Sequence, residues 1–323
     1  MSMLSRRAAL ASASLAAAFG LTGQTFVIAP ALAQKTPDPG VGYRRYKVGS
    51  IEVTALYDGI WEKPHDPAFI KNASIDDTKE ALAKAGFTTE FVSIPLTVVV
   101  LRIGDRLIMI DSGSGAGQWQ PTATRLATNM VAAGIDRSKI DTILISHFHP
   151  DHIFGLMERG SNAPVYPNAE IIVTGAEYRW WTEPGRVEKL PDARKALGQR
   201  IQTVFPGWKN FRLVEDEREV APGVHLIKAP GHTPGHAAYH VSSGAQQLMI
   251  SNDVAYVPAL LAPHPEWEGS YDQDSSLAVE TRRKLIDRVI AEKMMICGAH
   301  FPFPGTGVFQ KDGSAYAFTP TAV

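Results

Sequence analysis

Histidines and carboxylates crowd one short stretch of this chain, His147-Phe148-His149-Pro150-Asp151-His152. The apolar residues 140–145 that precede it read as a buried strand. A strand that ends in H-x-H-x-D-H throws its donors from one loop into one small volume. With Pro150 and Asp151 opening a turn into a helix, the grouping suits a divalent metal better than any other use. Only ten histidines occur in 323 residues, so chance clustering of this kind is improbable.

Further donors stand at the ends of later strand-like runs. Residues 224–229 lead into Pro230-Gly231-His232-Thr233-Pro234-Gly235-His236, where Gly and Pro on each side of His232 make a tight turn that presents its ring. An apolar strand from residue 247 ends in Asp253, and another from residue 294 ends in His300. Four strand ends thus each deliver His or Asp, as expected where loops at one sheet edge build a site. No Ser-His-Asp or Cys-His arrangement competes with this reading.

This set resembles the metallo-β-lactamase-fold hydrolases, whose signature is H-x-H-x-D-H followed by a distant His, a distant Asp and a last His. The resemblance covers nearly the whole chain beyond residue 33 and fills all seven ligand positions. It implies that His147, His149 and His232 hold one metal, that Asp151, His152 and His300 hold the second, and that Asp253 bridges them. It also implies an α/β (α+β) fold, a four-layer αββα sandwich. Two divalent ions are expected, zinc first, although Mn, Co or Fe suit the same His and Asp donors. Within the superfamily the likeness points to the methyl parathion hydrolases. It rests on His300-Phe301-Pro302-Phe303-Pro304-Gly305, on the turn around His232, and on Asp272-Gln273-Asp274-Ser275-Ser276 before a long helix.

The implied chemistry is hydrolytic. Two ions share a water whose pKa falls toward about 7, and the hydroxide attacks an ester, lactone or phosphotriester. Asp253 and Asp151 are the carboxylates of that reaction: Asp253 fixes the spacing of the ions, and Asp151 ligates and holds the hydroxide. An aryl-oxide leaving group needs little protonation, so the lack of an obvious general acid is tolerable. An acyl-homoserine lactonase fits the ligands equally well. A zinc β-lactamase would replace the bridging Asp with Cys or lack it, and a glyoxalase II would bring a basic C-terminal helical domain. From a different class, a periplasmic metal- or ligand-binding module without turnover is the competing reading, and the intact ligand set counts against it.

Other residues are weighed beside this set. The Asp111-Ser112-Gly113-Ser114-Gly115-Ala116-Gly117 turn looks like a phosphate cradle, yet no Lys follows in register. The resemblance places this turn beside the metal loop, so Asp111 is expected to orient a ligand. His236 is given a similar supporting role, because the seven positions are already filled. Trp119, Trp180, Tyr256 and Tyr271 are the candidates for the wall of a substrate pocket. Trp119 and Trp180 align with aromatic pocket positions of the parathion hydrolases, and Tyr256 and Tyr271 flank the Asp253 loop.

The elements that must position these groups are legible in outline. Residues 43–48 and 51–58 read as a hairpin across Gly49-Ser50, and residues 96–103 and 107–110 as a second one. Ser74 or Asp76 caps a helix running to Ala85, and Pro121 opens another to Ala133. A strand at 169–173, a helix at 191–204, a helix at 275–291 and a last strand at 294–297 follow. Hairpins with interspersed helices fit two sheets between helical layers.

Ser5-Arg6-Arg7-Ala8-Ala9-Leu10 resembles a twin-arginine signal, and Ala31-Leu32-Ala33 is an A-x-A cleavage site. Residues 1–33 are therefore read as an export segment, and residues 34–323 as a single hydrolase domain delivered to the periplasm or beyond. The apolar run is too short and interrupted to span a bilayer. The formal net charge of −1 falls to −3 once Arg6 and Arg7 leave with that segment. A slightly acidic protein lacks the basic field of a nucleic-acid binder. The expected partner is a small-molecule ester, lactone or phosphotriester, with neither nucleic acid nor membrane, while a homodimer stays open. Cys297 is the single cysteine, which excludes an internal disulfide and suits a buried thiol.

Overall fold

A computed structural model describes residues 40–321, so the twin-arginine-like segment lies outside the described residues. One seven-stranded sheet takes β1 (Tyr43–Val48), β2 (Ile51–Lys63), β3 (Val92–Ile103), β4 (Arg106–Ile110), β5 (Ile140–Leu144), β6 (Glu170–Thr174) and β7 (Phe211–Val214) in sequential order. The second takes β8 (Arg218–Ala221), β9 (Val224–Lys228), β10 (Ala237–Ser243), β11 (Gln246–Ile250), β12 (Met295–Cys297), β13 (Thr306–Asp312) and β14 (Ala315–Pro320), again in order. The first sheet is antiparallel from β1 to β4 and parallel from β4 to β7. The second is antiparallel except where β11 runs parallel to β12.

Alternate residues of the central strands enter different cores. Val99, Leu101, Ile108 and Ile110 point between the sheets, onto Leu226, Tyr239, Leu248 and Ile250. Val98, Val100, Leu107 and Met109 face the other way, onto Met130, Leu197 and Ile201 of the covering helices. Both faces are buried, which is why these strands read as unbroken apolar runs. On the far side, Leu285, Ile286 and Val289 of the helix Ser275–Ala291 pack on Met249, Ile296 and Phe309. The layers are helix, sheet, sheet, helix, as expected.

Several boundaries differ from the sequence reading, among them the start of β3, which is Val92 and not residue 96. The helix expected from Pro121 begins at Leu126 and runs Leu126–Ala132. Its start is set by a residue of β2: the Asp58 carboxylate accepts from Leu126 N at 3.1 Å, and Asp58 O accepts from Arg125 N at 2.9 Å. The strand at 294–297 is not the last, because β13 and β14 extend the sheet beyond it. Gln310, Lys311 and Asp312 of β13 are exposed, so no apolar run announces that hairpin. β2 continues past residue 58 to Lys63, across a register shift between Tyr57 and Gly59. The helix Ile75–Lys84 follows its cap: Ser74 Oγ accepts from Asp77 N, and Asp77 Oδ2 accepts from Ser74 N at 2.9 Å.

Candidate metal centre

β5 delivers residues 146–152, and β9, β11 and β12 deliver His232, Asp253 and His300 to the same point. His147 Nε2 and His232 Nε2 each lie 3.0 Å from His149 Nδ1. Asp151 Oδ2 lies 3.4 Å from His152 Nε2 and 3.2 Å from His300 Nε2. Asp253 reaches both groups: Oδ2 is 3.3 Å from His232 Nε2 and 3.2 Å from His300 Nε2, and Oδ1 is 3.3 Å from His152 Nε2. The residues fall into overlapping sets, His147, His149 and His232 on one side and Asp151, His152 and His300 on the other, with Asp253 between them.

The hydrogen bonds behind the rings decide which nitrogens face inward. His300 Nδ1 donates to Pro95 O at 2.9 Å, and a carbonyl can only accept. His232 Nδ1 donates to Asp272 Oδ1 at 2.8 Å, and His152 Nδ1 to Asp111 Oδ2 at 2.7 Å. Ser146 Oγ donates to Asp111 Oδ2 at 2.7 Å and so receives the His147 Nδ1 proton at 3.0 Å. A neutral imidazole has one N–H. In its neutral form each of these rings has spent it outward, so each Nε2 would offer a lone pair to an ion at the centre. His152 Nε2 and Asp253 Oδ1 are buried with no hydrogen-bond partner. Lone pairs and carboxylate oxygens packed this closely repel one another unless a cation sits among them, so the donor set fits divalent metal.

Charge divides the centre in two. Burial holds His147 and His149 well below the ordinary histidine pKa, with neighbouring rings adding to the effect. Burial would lower His152 and His300 as well, but Asp253 and Asp151 outweigh it, raising His152 and bringing His300 up to about 10. The carboxylates demand positive charge, and a divalent ion meets that demand while displacing the protons. Asp151 and Asp253 stay ionised because the surrounding histidines overcome the cost of burial.

His236 lies beneath Asp253 and accepts from its backbone N at 3.3 Å. Burial first, and His232 second, hold its pKa down to about 3. An unfolded histidine takes up a proton below about 6.5. The stability tied to a neutral His236 is therefore complete above that pH and is lost as pH falls toward 3. Between pH 7.5 and 4.5 the chelator-treated protein should lose roughly 2–3 kcal/mol through this ring. Denaturant unfolding at the two pH values should show a smaller loss in His236→Gln. Equal losses would show that the ring is not held neutral.

Buried charged side chains support the donors from behind, Arg282 and Glu177 among them without having been singled out in the sequence. Asp111, at φ 58°, occupies a region tolerated by few residues besides glycine, and its carboxylate holds Ser146 and His152 together. Asp272, behind His232, is itself gripped by the fully buried Arg282 at 3.3 Å. Glu177 binds Phe148 N, Trp181 Nε1, Thr233 Oγ1 and Gly235 N. The His232 turn is wedged tightly: a Cβ on Gly231 would meet Ala278 N at 2.3 Å, and one on Gly235 would meet Glu177 N at 2.0 Å. Only glycine allows that approach on both sides.

The aromatic candidates separate. From His232 outward, ring follows ring: Tyr256 at 5.5 Å, Tyr271 at 6.3 Å from Tyr256, Trp61 at 6.1 Å from Tyr271, and Trp119 at 5.1 Å from Trp61. Phe69 backs this strip, 6.0 Å from Tyr271. The sequence reading included Tyr256, Tyr271 and Trp119 but missed Trp61 and Phe69. Trp180 stands apart from the strip, packed on Trp181 at 4.9 Å under the Arg186 guanidinium. Its neighbour Trp181 is the ring beside His149, at 6.4 Å.

Comparison with known proteins agrees with this geometry. The family model described as the Metallo-beta-lactamase superfamily matches residues 95–300, a span that contains all seven donor residues. An N-acyl homoserine lactonase from Bacillus cereus is 25% identical over 228 residues, covering 65% of this chain and 82% of the relative. The solved structure of AidC, a dizinc quorum-quenching lactonase, superposes with a TM-score of 0.82 at 24% identity, covering 87% of this chain and 98% of that one. A hydrolase of the beta lactamase superfamily, AbOPH, gives a TM-score of 0.78 at 28% identity, covering 88% and 98% of the two chains. The chain is a metal-dependent hydrolase of the metallo-beta-lactamase superfamily.

Proposed function

We propose that the protein hydrolyses lactones and aryl esters, N-acyl homoserine lactones among them, at a pair of divalent ions, zinc in the first place. The observation that carries the reading is the convergence of outward-anchored imidazoles on two ionised carboxylates. His147, His149 and His232 would hold one ion, Asp151, His152 and His300 the other, and Asp253 both. The lactonase relatives, one of them a dizinc enzyme, support the choice of bond and metal. When bound, such a pair acidifies water and polarises the attacked oxygen.

The chain's own residues supply orientation and enclosure. Asp111, Asp272 and Pro95 O fix the rings so that no reorganisation is needed during reaction. Asp151, whose side chain keeps 9% exposure, is the carboxylate placed to accept a hydrogen bond from the attacking water. The strip of Tyr256, Tyr271, Trp61 and Trp119 offers an apolar wall to an acyl chain or aryl group.

That wall also favours a second reading, cleavage of dimethyl aryl phosphotriesters, toward which the likeness of the segment at 300–305 to methyl parathion hydrolases points. Both reactions need one nucleophile, one polarised oxygen and a stabilised leaving group. They differ in volume, since a phosphotriester carries two extra alkoxy groups. Steady-state rates on an acyl lactone, an aryl ester and a phosphotriester with metal-loaded protein test both readings. Tyr271→Leu should move the kcat/KM ratio toward the phosphotriester by about 1–3 kcal/mol. An unchanged ratio would take Tyr271 out of the wall, and no turnover of any of the three substrates would end both substrate readings.

A further inference from the structure

We infer that Glu177 is the positioning residue of one half of the centre: a single buried carboxylate locks the loop bearing His147 and His149 to the turn bearing His232. Glu177 touches none of the donor atoms. Its Oε1 accepts from Phe148 N at 2.8 Å and from Trp181 Nε1 at 2.8 Å. Its Oε2 accepts from Thr233 Oγ1 at 2.6 Å and from Gly235 N at 3.0 Å. Phe148 lies between the two loop histidines, while Thr233 and Gly235 follow His232. Four donors fill the acceptor capacity of an ionised carboxylate.

The helix forgoes a local bond for this purpose. Thr174-Gly175-Ala176-Glu177 has the spacing of a capping box, in which the glutamate reaches back to the N-cap backbone. Thr174 Oγ1 does accept from Glu177 N at 3.1 Å, but the carboxylate turns away from the helix end and into the centre. Burial pushes the carboxyl up, and its four donors oppose that shift. An ion buried without a charged partner is costly unless its hydrogen bonds are complete, as they are here. The other half of the centre has direct supports of its own, Asp111 behind His152 and Pro95 O behind His300, and Asp111 reaches His147 only through Ser146 Oγ. Glu177 therefore acts on one ion position and not on the other.

This inference rests on the two-ion reading above, and the test separates the two. Wild-type protein and Glu177→Gln, both as the full chain, are charged with zinc, and both dissociation constants are measured by chelator competition. Anomalous diffraction then shows which position empties. Glutamine keeps the shape but turns an NH2 toward donors, so the ion at His147, His149 and His232 should bind about 10–100-fold more weakly. The ion at Asp151, His152 and His300 should change by no more than about threefold, a distinction that general loosening of the fold would not produce. If Glu177→Gln fails to fold, Thr233→Val removes one donor at nearly constant volume and should weaken the same ion selectively. Equal weakening at both positions, or no change at either, overturns the assignment. A wild-type chain that takes up no zinc overturns the two-ion reading and this inference with it.

Discussion

Replacing Asp253 with asparagine should lower kcat/KM by three orders of magnitude or more, a loss of about 4 kcal/mol in transition-state stabilisation. The carboxylate stands among four imidazole nitrogens, 3.3 Å from those of His152 and His232, 3.2 Å from that of His300 and 3.9 Å from that of His147. Its two oxygens reach donors of both halves of the centre. Asparagine preserves the volume, removes the charge, and aims an NH2 group where an acceptor is required. Metal analysis of the purified variant should show at least one ion missing, with near-wild-type circular dichroism. Full metal content and normal turnover would sink the assignment of this residue.

Arg282→Met should be the most destabilising single change away from the donors, at about 3–5 kcal/mol, or roughly 10 °C in melting temperature. The guanidinium is fully buried and donates to Pro265 O at 2.8 Å, Trp267 O at 2.9 Å, Val254 O at 3.1 Å and Asp272 Oδ2 at 3.3 Å. Methionine fills much of the space and satisfies none of those acceptors. Asp272 would be left as an unpaired buried charge, while still required behind His232. Adding Asp272→Asn should recover part of the loss in urea unfolding, because the stranded charge disappears. A loss below about 1 kcal/mol in the single variant would mean that the network does not hold the loop after Asp253.

The donors were legible in the sequence because each sits at the end of a short apolar run, where strand and ligand are spelled together. Of the supports, Asp111 and His236 were named from the sequence, but Arg282 and Glu177 were not, because their partners are far away along the chain. Arg282 falls in Thr281-Arg282-Arg283-Lys284, which reads as a solvated charged face, yet the helix turns that one residue inward. Glu177 is spelled like the glutamate of a capping box, and only the fold shows that the box is half made. Trp180 and Trp181 are chemically alike, and their assignment depends on the roughly 100° that a helix rotates between neighbours. Likewise the residue that starts the helix Leu126–Ala132 is Asp58, which lies 68 residues away and outcompetes the proline signal at 121.

The order of strands in the two sheets has a consequence for how the enzyme holds together. Every strand of the first sheet precedes Glu215, and every strand of the second follows Glu217, so the chain is two consecutive pieces joined by a short exposed link. His147, His149, Asp151 and His152 belong to the earlier piece, and His232, Asp253 and His300 to the later one. Neither piece alone owns a complete set for either ion. Metal therefore binds tightly only when the pieces are docked, and it favours docking by RT ln(1 + [M]/Kd). Ions held by these residues would in this sense be a staple across a seam, and stripping them should loosen the contact between the two halves before it loosens either half.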